Sequence, residues 1–392
     1  MRRRVPHGAF FAAVSLLSLW CGLAVASTET LPDSSPGSFL PGFFRYSAQG
    51  SRDLSGTPGN EDRLEKEISR LADRVRPALA AARTDAQVVD AFRRVLLEEE
   101  GFSYDRVAGN PENFLLGSVL SRKQGNCLGL SMLYLALAER LSVPFRGVCL
   151  PSHCFVRYEG KEGARNVEFA SRGEGWPDDR YRREFRIGAG RPYLRSLDGT
   201  EMLGVFLKSM GAAYSKKGRE EDALRLYDEA VRFFPGLPEG HFNAGVSLQR
   251  TGRIDEATVK YRIALSLDPD LASARDNLGI LLAVRGDFDG AVAEGLRAVE
   301  LEPRNAAMRR NLASSYYASG NLEGAIREYR KSVEMDPENA RARSGLALSY
   351  IALGRPGEAA RELENAKARG VRIDPWVLEA LERPTPPAHP EI

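Results

Sequence analysis

The sequence lacks an excess of charge of either sign. It carries 55 lysines and arginines against 53 aspartates and glutamates, and three of the arginines, Arg2 to Arg4, stand at the amino terminus. Basic and acidic residues are interspersed along the rest of the chain, so no concentrated positive surface is available for a phosphate backbone. We therefore expect no nucleic acid among the partners.

Long apolar runs are also scarce. Residues 8–25 form one, directly after the basic Arg2–Arg4 cluster, and residues 24–26 (Ala-Val-Ala) follow the small-x-small pattern of a signal peptidase site. No other segment reaches the roughly 20 apolar residues of a membrane helix. These features predict a signal peptide over 1–26, export to the periplasm or beyond, and no membrane span after cleavage. Lipid attachment at Cys21 and an uncleaved anchor stay open as alternatives.

Cysteine and histidine are rare, at four residues each. A zinc site built from Cys127, Cys149, His153 and Cys154 would fit no familiar ligand spacing, so we expect no metal and no cofactor. If Pro151-Ser152 forms a two-residue turn, Cys149 and Cys154 would face each other within disulfide range. Proline does not suit the turns favoured in such hairpins, so two free thiols are the alternative.

The second half of the chain is periodic, with a spacing of 34 residues. Three residue types keep this period: Gly218, Gly252, Gly286, Gly320 and Gly354; Ala223, Ala257, Ala291, Ala325 and Ala359; Pro235, Pro269, Pro303 and Pro337. Glycine tolerates the left-handed backbone that ends a helix, alanine permits close helix contact, and proline stops the following helix. The pattern predicts helix-turn-helix units stacked in a solenoid.

These units resemble tetratricopeptide repeats over about residues 204–373, including a small residue at the eighth position of each unit. The resemblance implies five repeats over 198–373 and a concave groove that binds a protein or peptide partner. The fifth unit carries Val371 where proline is expected, which indicates a capping segment and then a disordered tail over 374–392.

Two further positions of the repeat bear on the partner. We interpret Asn243, Asn277 and Asn311, at the sixth position, as structural hydrogen-bonding residues. The ninth positions lack the asparagine that repeats clamping chaperone tails carry; they are Ala212, Val246, Ile280, Ser314 and Leu348. A chaperone clamp is therefore not expected, and the groove favours a partner with an apolar face.

The region before the repeats begins with a segment of low order. Residues 27–60 are rich in serine, glycine and proline, so we expect a flexible linker. Two amphipathic helices follow, because apolar residues recur at helical spacing from Leu64 to Leu79 and from Val88 to Leu96.

The candidate nucleophile lies at the start of a third helix. Asn126 is a good N-cap, which places Cys127 in the first helical turn, where free amide groups and the helix dipole favour a thiolate. The helix that follows is apolar on nearly all sides up to Leu141, so we expect it to be buried.

Three short strands are predicted after that helix, over 145–150, 153–158 and 165–170. Strand alternation allows His153 on one strand to neighbour Glu168 on the next. A cysteine at a buried helix start, a histidine on a strand and a carboxylate on the next are the parts of a thiol-imidazole-carboxylate relay.

The segments 125–131 (GNCLGLS) and 141–144 (LSVP), with His153 and Glu168, resemble the transglutaminase-like superfamily of papain-like cysteine enzymes. The resemblance covers about residues 90–175 and implies an α+β domain. It makes Cys127 the nucleophile, His153 the base and Glu168 the third member. It also makes Gln124 or the backbone amide of Cys127 an oxyanion donor. Most such cores carry aspartate in place of this glutamate, and many members of the related bacterial branch have lost the cysteine.

The sequence thus predicts a helix-rich exported protein, with an α+β transglutaminase-like domain over 61–197 followed by an all-α tetratricopeptide-repeat solenoid. The leading hypothesis is a cysteine-dependent acyl-transfer enzyme, a peptidase or amidase, whose repeats bind a protein or position a substrate. The alternative is a non-catalytic scaffold that carries an inactive transglutaminase-like domain.

Overall fold

The computed structural model describes residues 38–107, 110–171, 173–188 and 190–382. The predicted signal peptide and the last ten residues of the predicted tail lie outside these ranges. Within them, no helix combines the length and the apolar character needed to cross a lipid bilayer.

The part of the chain before residue 190 combines helices with two small sheets. Its helices are α1 (Leu40–Gly50), α2 (Glu61–Ala81), α3 (Asp85–Arg93), α4 (Leu116–Arg122), α5 (Cys127–Leu141) and α6 (Asp178–Glu184). Its strands are β1 (Ser103–Tyr104), β2 (Gln124–Gly125), β3 (Phe145–Leu150), β4 (His153–Gly160) and β5 (Gly163–Val167). Strands β1 and β2 are parallel, whereas β3, β4 and β5 form an antiparallel sheet in that order.

Helix α5 is the central element of this region. Every residue from Leu128 to Ala138 is buried, and the helix packs against α2, β3 and β4. A helix buried on all sides needs an apolar residue at nearly every position, and the sequence supplies one. Its first residue is Cys127, so the candidate nucleophile is fixed to the most deeply packed element of the domain.

The segment predicted to be a flexible linker is instead part of the core. Helix α1 buries Phe43, Phe44 and Tyr46, and the ring of Phe43 meets Phe206 edge-on with 5.1 Å between centroids. The prediction is therefore wrong for residues 40–55, which are helical, whereas residues 56–60 are irregular and largely exposed. Residues 27–37 lie outside the described part. The segment was expected to be flexible because of its glycine and proline content, but it also contains a cluster of aromatic residues. The proline stands in the first turn of α1, where it costs no hydrogen bond.

From residue 199 the chain forms five antiparallel helix pairs and a capping helix. They are α7 (Gly199–Lys216) and α8 (Glu220–Phe233), α9 (Pro238–Arg250) and α10 (Ile254–Leu267), α11 (Ala272–Val284) and α12 (Phe288–Leu301), α13 (Ala306–Ala318) and α14 (Leu322–Met335), α15 (Ala340–Ala352) and α16 (Pro356–Ala368), and α17 (Pro375–Glu382). The five periodic glycines all have φ between 74° and 80°, and the five periodic alanines are completely buried. The predicted solenoid is confirmed.

A row of ion pairs, which the sequence analysis did not single out, follows the same period. Arg275 pairs with Glu294 at 2.7 Å, Arg309 pairs with Glu328 at 2.8 Å, and an equivalent pair lies in the fifth unit. Each of these arginines also donates to the carbonyl of the proline six residues before it. The pairs therefore tie each first helix both to its own second helix and to the preceding turn.

The two parts of the molecule share one hydrophobic core. A continuous cluster of buried side chains runs from α2 and α5 through α1 into α7, α8 and α9. Gly147 on β3 also pairs with Leu197, just before α7, through two backbone hydrogen bonds. The first helix pair is thus packed directly onto the region that carries the candidate site.

Candidate active site

Cys127 occupies the first position of α5, as the sequence predicts. The side chain of Asn126 accepts a hydrogen bond from the amide of Gly129 at 2.9 Å, which is the geometry of an N-cap. The amides of the first helical turn have no partner within the helix. The backbone N–H of Cys127 is therefore placed beside its own thiol, where it can donate to a reacting oxygen.

A close backbone contact explains the glycine two residues after the cysteine. The amide of Asn126 donates to the carbonyl of Asn113 at 2.8 Å, and a Cβ built on Gly129 would lie 2.3 Å from that same oxygen. Asn113 is fully buried and is held by Arg122, which donates to its side-chain oxygen at 3.0 Å. This anchor fixes the position of the α5 amino terminus.

His153 and Glu168 form the second half of the site. His153 is the first residue of β4, and its Nε2 lies 2.6 Å from Oε2 of Glu168. Their side chains are only 12% and 3% exposed. The thiol of Cys127 lies close enough to the imidazole to raise the pKa of His153, and both residues line the same cleft. Because Glu168 engages Nε2, Nδ1 is the ring nitrogen left for the thiol. The structure thus brings all three predicted residues together.

The protonation of His153 follows from these contacts. Burial alone would lower its pKa, but the hydrogen bonds to Cys127 and Glu168 and the charges of both partners outweigh burial and raise the pKa of His153 to about 9. At neutral pH the ring is therefore an imidazolium that donates to the Glu168 carboxylate from Nε2. That is the state in which a histidine stabilises a neighbouring thiolate.

Glu168 lies one residue beyond the end of β5, not inside a strand as the sequence predicts. Its Oε1 accepts the amide of Ala170 at 3.1 Å, and its Oε2 accepts the hydroxyl of Tyr181 at 3.2 Å. The chain turns here because residues 169–171 form a short 3-10 helix. The longer glutamate side chain reaches the imidazole from this turn, so glutamate in place of aspartate does not break the relay.

An aromatic wall, which sequence reasoning missed, supports the histidine and the carboxylate. Tyr181 of α6 is completely buried and its ring stacks on Phe155 at 4.3 Å, while Phe185 stacks on His153 at 5.3 Å. Burial and the charge of Glu168 raise the pKa of Tyr181, so its hydroxyl stays a neutral donor. Tyr181 and Phe185 stand four residues apart, on one side of a helical turn, which was the available sequence signal.

The candidate site lies in a part of the chain that matches a known family. Residues 62–184 match the model of the transglutaminase-like superfamily, and residues 242–306 and 313–354 match models of the tetratricopeptide repeat. The chain carries a transglutaminase-like domain followed by tetratricopeptide repeats. The relay of Cys127, His153 and Glu168 lies inside the transglutaminase-like match.

Relatives of known sequence cover parts of the chain. A UPF0162 protein of Vibrio cholerae serotype O1 is 27% identical over 180 residues, which is 44% of this chain and 66% of that protein. The human F-box only protein 21 is 38% identical over 81 residues, 20% of this chain and 13% of that protein. The chain therefore spans less than two thirds of the length of these relatives. Among solved structures, MamA from Desulfovibrio magneticus RS-1 is 23% identical, covers 46% of this chain and 95% of its own, and has a TM-score of 0.39.

A cleft of about 380 Å³ opens over the relay and is shared by the two parts of the molecule. The transglutaminase-like domain contributes Cys127 and His153, and the repeats contribute residues of α7 and α9 such as Ala212 and Asn243. Gln124 is exposed on β2 and is not part of the lining that the described residues form. The backbone amide of Cys127 is thus the better placed of the two predicted oxyanion donors.

Cys149 and Cys154 are joined in a disulfide at the end of the β3–β4 hairpin of the transglutaminase-like domain. They are directly opposite each other in the register, with 4.2 Å between their Cα atoms. Ser152 has a φ of 63° after a proline, which is the pattern of a type II turn and not of the mirror-image turns. Proline therefore suits this hairpin, contrary to the argument from sequence.

The disulfide also bears on the zinc site considered from sequence. Because the sulfurs of Cys149 and Cys154 are bonded to each other, that four-residue ligand set does not assemble. Across the ranges that the structure describes, no other group of three or more histidine, cysteine or acidic side chains is arranged to hold a metal ion.

Proposed function

We propose that this chain is a cysteine-dependent acyl-transfer enzyme, a peptidase or amidase. Cys127 is the nucleophile, His153 is the general base and acid, and Glu168 orients the imidazole. The observation that carries the proposal is the grouping of three residues: Cys127 and His153 line one cleft, and the imidazole lies 2.6 Å from a buried carboxylate.

The reaction follows from the positions of these groups. The Cys127 thiolate attacks the carbonyl carbon of an amide, and the C–S bond forms while the carbonyl oxygen takes the negative charge. The Cys127 amide donates to that oxyanion. The intermediate collapses by breaking the C–N bond, and the leaving amine takes the proton of His153. Water or a second amine then attacks the thioester and gives its proton to His153. The C–S bond breaks, and the Cys127 thiolate and the His153 imidazolium are restored.

The remaining contacts of the site orient the histidine. Glu168 accepts from Nε2, which directs Nδ1 towards the thiol and stabilises the imidazolium. Tyr181 and the amide of Ala170 hold the carboxylate in place. Phe185 covers the imidazole ring and limits the access of water to it.

The repeats serve this chemistry as the binding element. Tetratricopeptide repeats present a concave surface to proteins or peptides, and the cleft over Cys127 is lined by the first two helix pairs as well as by the catalytic domain. A substrate held by the repeats would therefore lie against the thiol.

Export is part of the proposal. Two features support it: the predicted leader over residues 1–26, and the Cys149–Cys154 disulfide. Structural disulfides persist in oxidising compartments such as the bacterial periplasm.

Covalent labelling of Cys127 tests the enzyme proposal. We expect an acyloxymethyl ketone probe to label folded protein with Cys21 replaced by serine, to leave the Cys127→Ala variant unlabelled, and to label His153→Ala at least tenfold more slowly. Circular dichroism of each variant controls for folding. A folded protein that resists the probe, or that reacts equally well without His153, would overturn the proposal and favour the non-catalytic scaffold.

A further inference from the structure

The cleft over Cys127 continues along one face of α7. That face contributes residues three or four positions apart, namely Val205, Lys208, Ser209, Ala212, Ala213 and Lys216. At a rise of 1.5 Å per residue, this stripe is about 16 Å long. An extended peptide of about five residues covers the same length. The cleft therefore has room for a peptide segment beside the residue that reacts.

Unpaired positive charge exceeds unpaired negative charge in the lining of this cleft. Arg195 pairs with Glu201, whereas the lining carboxylate of Glu239 accepts only the neutral hydroxyl of Tyr193 at 2.7 Å and keeps its charge. Lys208 and Lys216, in contrast, form no ion pair or hydrogen bond with any residue in the described part of the chain. Most arginines of this protein are paired with a carboxylate, whereas these two lysines are not. A negatively charged ligand bound along α7 would interact favourably with both of them.

An unpaired amide lies in the same cleft. Asn277 donates to the hydroxyl of Tyr261 at 3.2 Å and Asn311 donates to Asp276 at 2.9 Å, so these two asparagines are structural, as the sequence predicts. Asn243 occupies the equivalent position in the second unit but lines the cleft and has no partner among the described residues. A free carboxamide can both donate to and accept from a peptide backbone.

We propose that the cleft takes an acidic peptide segment as the acyl substrate of Cys127, with Lys208 and Lys216 as its specificity-determining residues. This inference rests on the proposed function, because it names the substrate class of the same site. The lysines are eight residues apart on α7, or about 12 Å. Side chains about four residues apart in an extended peptide have that separation and point to the same side. Ala212, between the lysines, is small enough to let the peptide lie close to the helix.

The binding step can be tested without catalysis. Full-length protein with Cys127→Ala is used to select peptides from a randomised display library. The same selection is run on a variant that also carries Lys208→Gln and Lys216→Gln. Lys66→Gln is the matched control, since this exposed lysine of α2 lies outside the cleft. Selected peptides are then synthesised with glutamate or glutamine at the acidic positions, and their Kd values are measured by fluorescence anisotropy at two salt concentrations.

We expect the library to be enriched in aspartate and glutamate pairs about four residues apart. Each lysine replacement should weaken binding of the glutamate peptides roughly threefold to fivefold, whereas the glutamine peptides and Lys66→Gln should show little change. Added salt should reduce the difference between the two peptides. The inference is overturned if no peptide is enriched, if enriched peptides carry no acidic excess, or if that excess persists without the two lysines.

The two proposals can fail separately. Because selection uses a protein without the thiol, lysine-dependent binding of acidic peptides can hold even when Cys127 proves unreactive to the acyl probe. In that case the enzyme proposal fails and the cleft is a binding site. A reactive Cys127 together with a library that shows no acidic preference would keep the enzyme and reject the substrate class.

Discussion

The chemistry of single residues in this protein is set by contacts that are distant in sequence. His153 lies between the thiol of Cys127 and the carboxylate of Glu168, and burial acts on it in the opposite direction from these two partners. The two partners raise the pKa of His153 by more than burial lowers it, so the ring carries a proton at neutral pH. Two predictions follow from this balance.

The first concerns stability against pH. The pKa of His153 is about 9 in the native protein, whereas an unfolded histidine titrates near 6.5. Between these values the native state holds a proton that the unfolded state has lost, so the free energy of unfolding falls as pH rises through this window and is unaffected below it. We expect His153→Gln to flatten this decline, measured by urea denaturation from pH 6 to pH 10. An unchanged slope would show that His153 is not protonated in the native state.

The second concerns the carboxylate. Glu168→Gln keeps the shape of the side chain but removes the charge that favours the imidazolium, so alkylation of Cys127 by iodoacetamide at pH 7 should slow about tenfold or more. Tyr181→Phe removes one hydrogen bond to the same carboxylate and should have a smaller effect. Equal alkylation rates in wild type and Glu168→Gln would mean that the carboxylate has no influence on the thiol.

At the scale of helices and strands, the sequence predicted those elements whose signals are local. The N-cap at Asn126, the two strands around His153 and the 34-residue ladders were all visible, because capping, alternation and turn glycines depend on neighbouring residues. Helix α1 was missed because its stability comes from aromatic side chains that pack on α7, not from its own composition.

Parts of the candidate site also depend on tertiary contacts and could not be predicted from local sequence signals. Cys127, His153 and Glu168 were expected from the sequence to meet, and they lie together, but Glu168 was expected inside a strand and Tyr181 was not predicted. The turn after β5 and the position of α6 are set by tertiary contacts such as the stacking on Phe155. The disulfide stayed undecided because the turn type at Ser152 depends on one backbone angle that residue identity does not fix.

The close approach of Gly129 to the carbonyl of Asn113 gives a prediction for helix α5. Gly129→Ala would bring a methyl group to 2.3 Å from the carbonyl of Asn113, a backbone atom that cannot rotate away. We expect a loss of about 1–3 kcal/mol in the free energy of unfolding and slower alkylation of Cys127. Gly357→Ala in α16 is the matched control, because its Cβ would meet no atom within 4 Å. Equal stability of the two variants would show that α5 shifts without cost.

At the scale of the whole molecule, the transglutaminase-like domain and the repeats are joined by more than a linker. The segment 190–197 leaves the transglutaminase-like domain, contributes Tyr193 and Arg195 to the cleft, and enters α7. Arg191 of this segment forms an ion pair with Asp268, which is completely buried at the end of α10. The segment is therefore held against the second helix pair while it forms one wall of the cleft.

The Arg191–Asp268 ion pair predicts that the repeats and the candidate active site are coupled. Asp268→Asn leaves Arg191 half-buried without a carboxylate, and breaking such a pair costs about 3 kcal/mol or more. We expect lower stability in urea and faster amide hydrogen exchange over residues 190–197. Asp270→Asn removes the same charge from a side chain that is 40% exposed and pairs with Arg297, so it should cost less than about 1 kcal/mol. If both variants exchange at the wild-type rate, the wall of the cleft is held by the shared hydrophobic core and not by the ion pair.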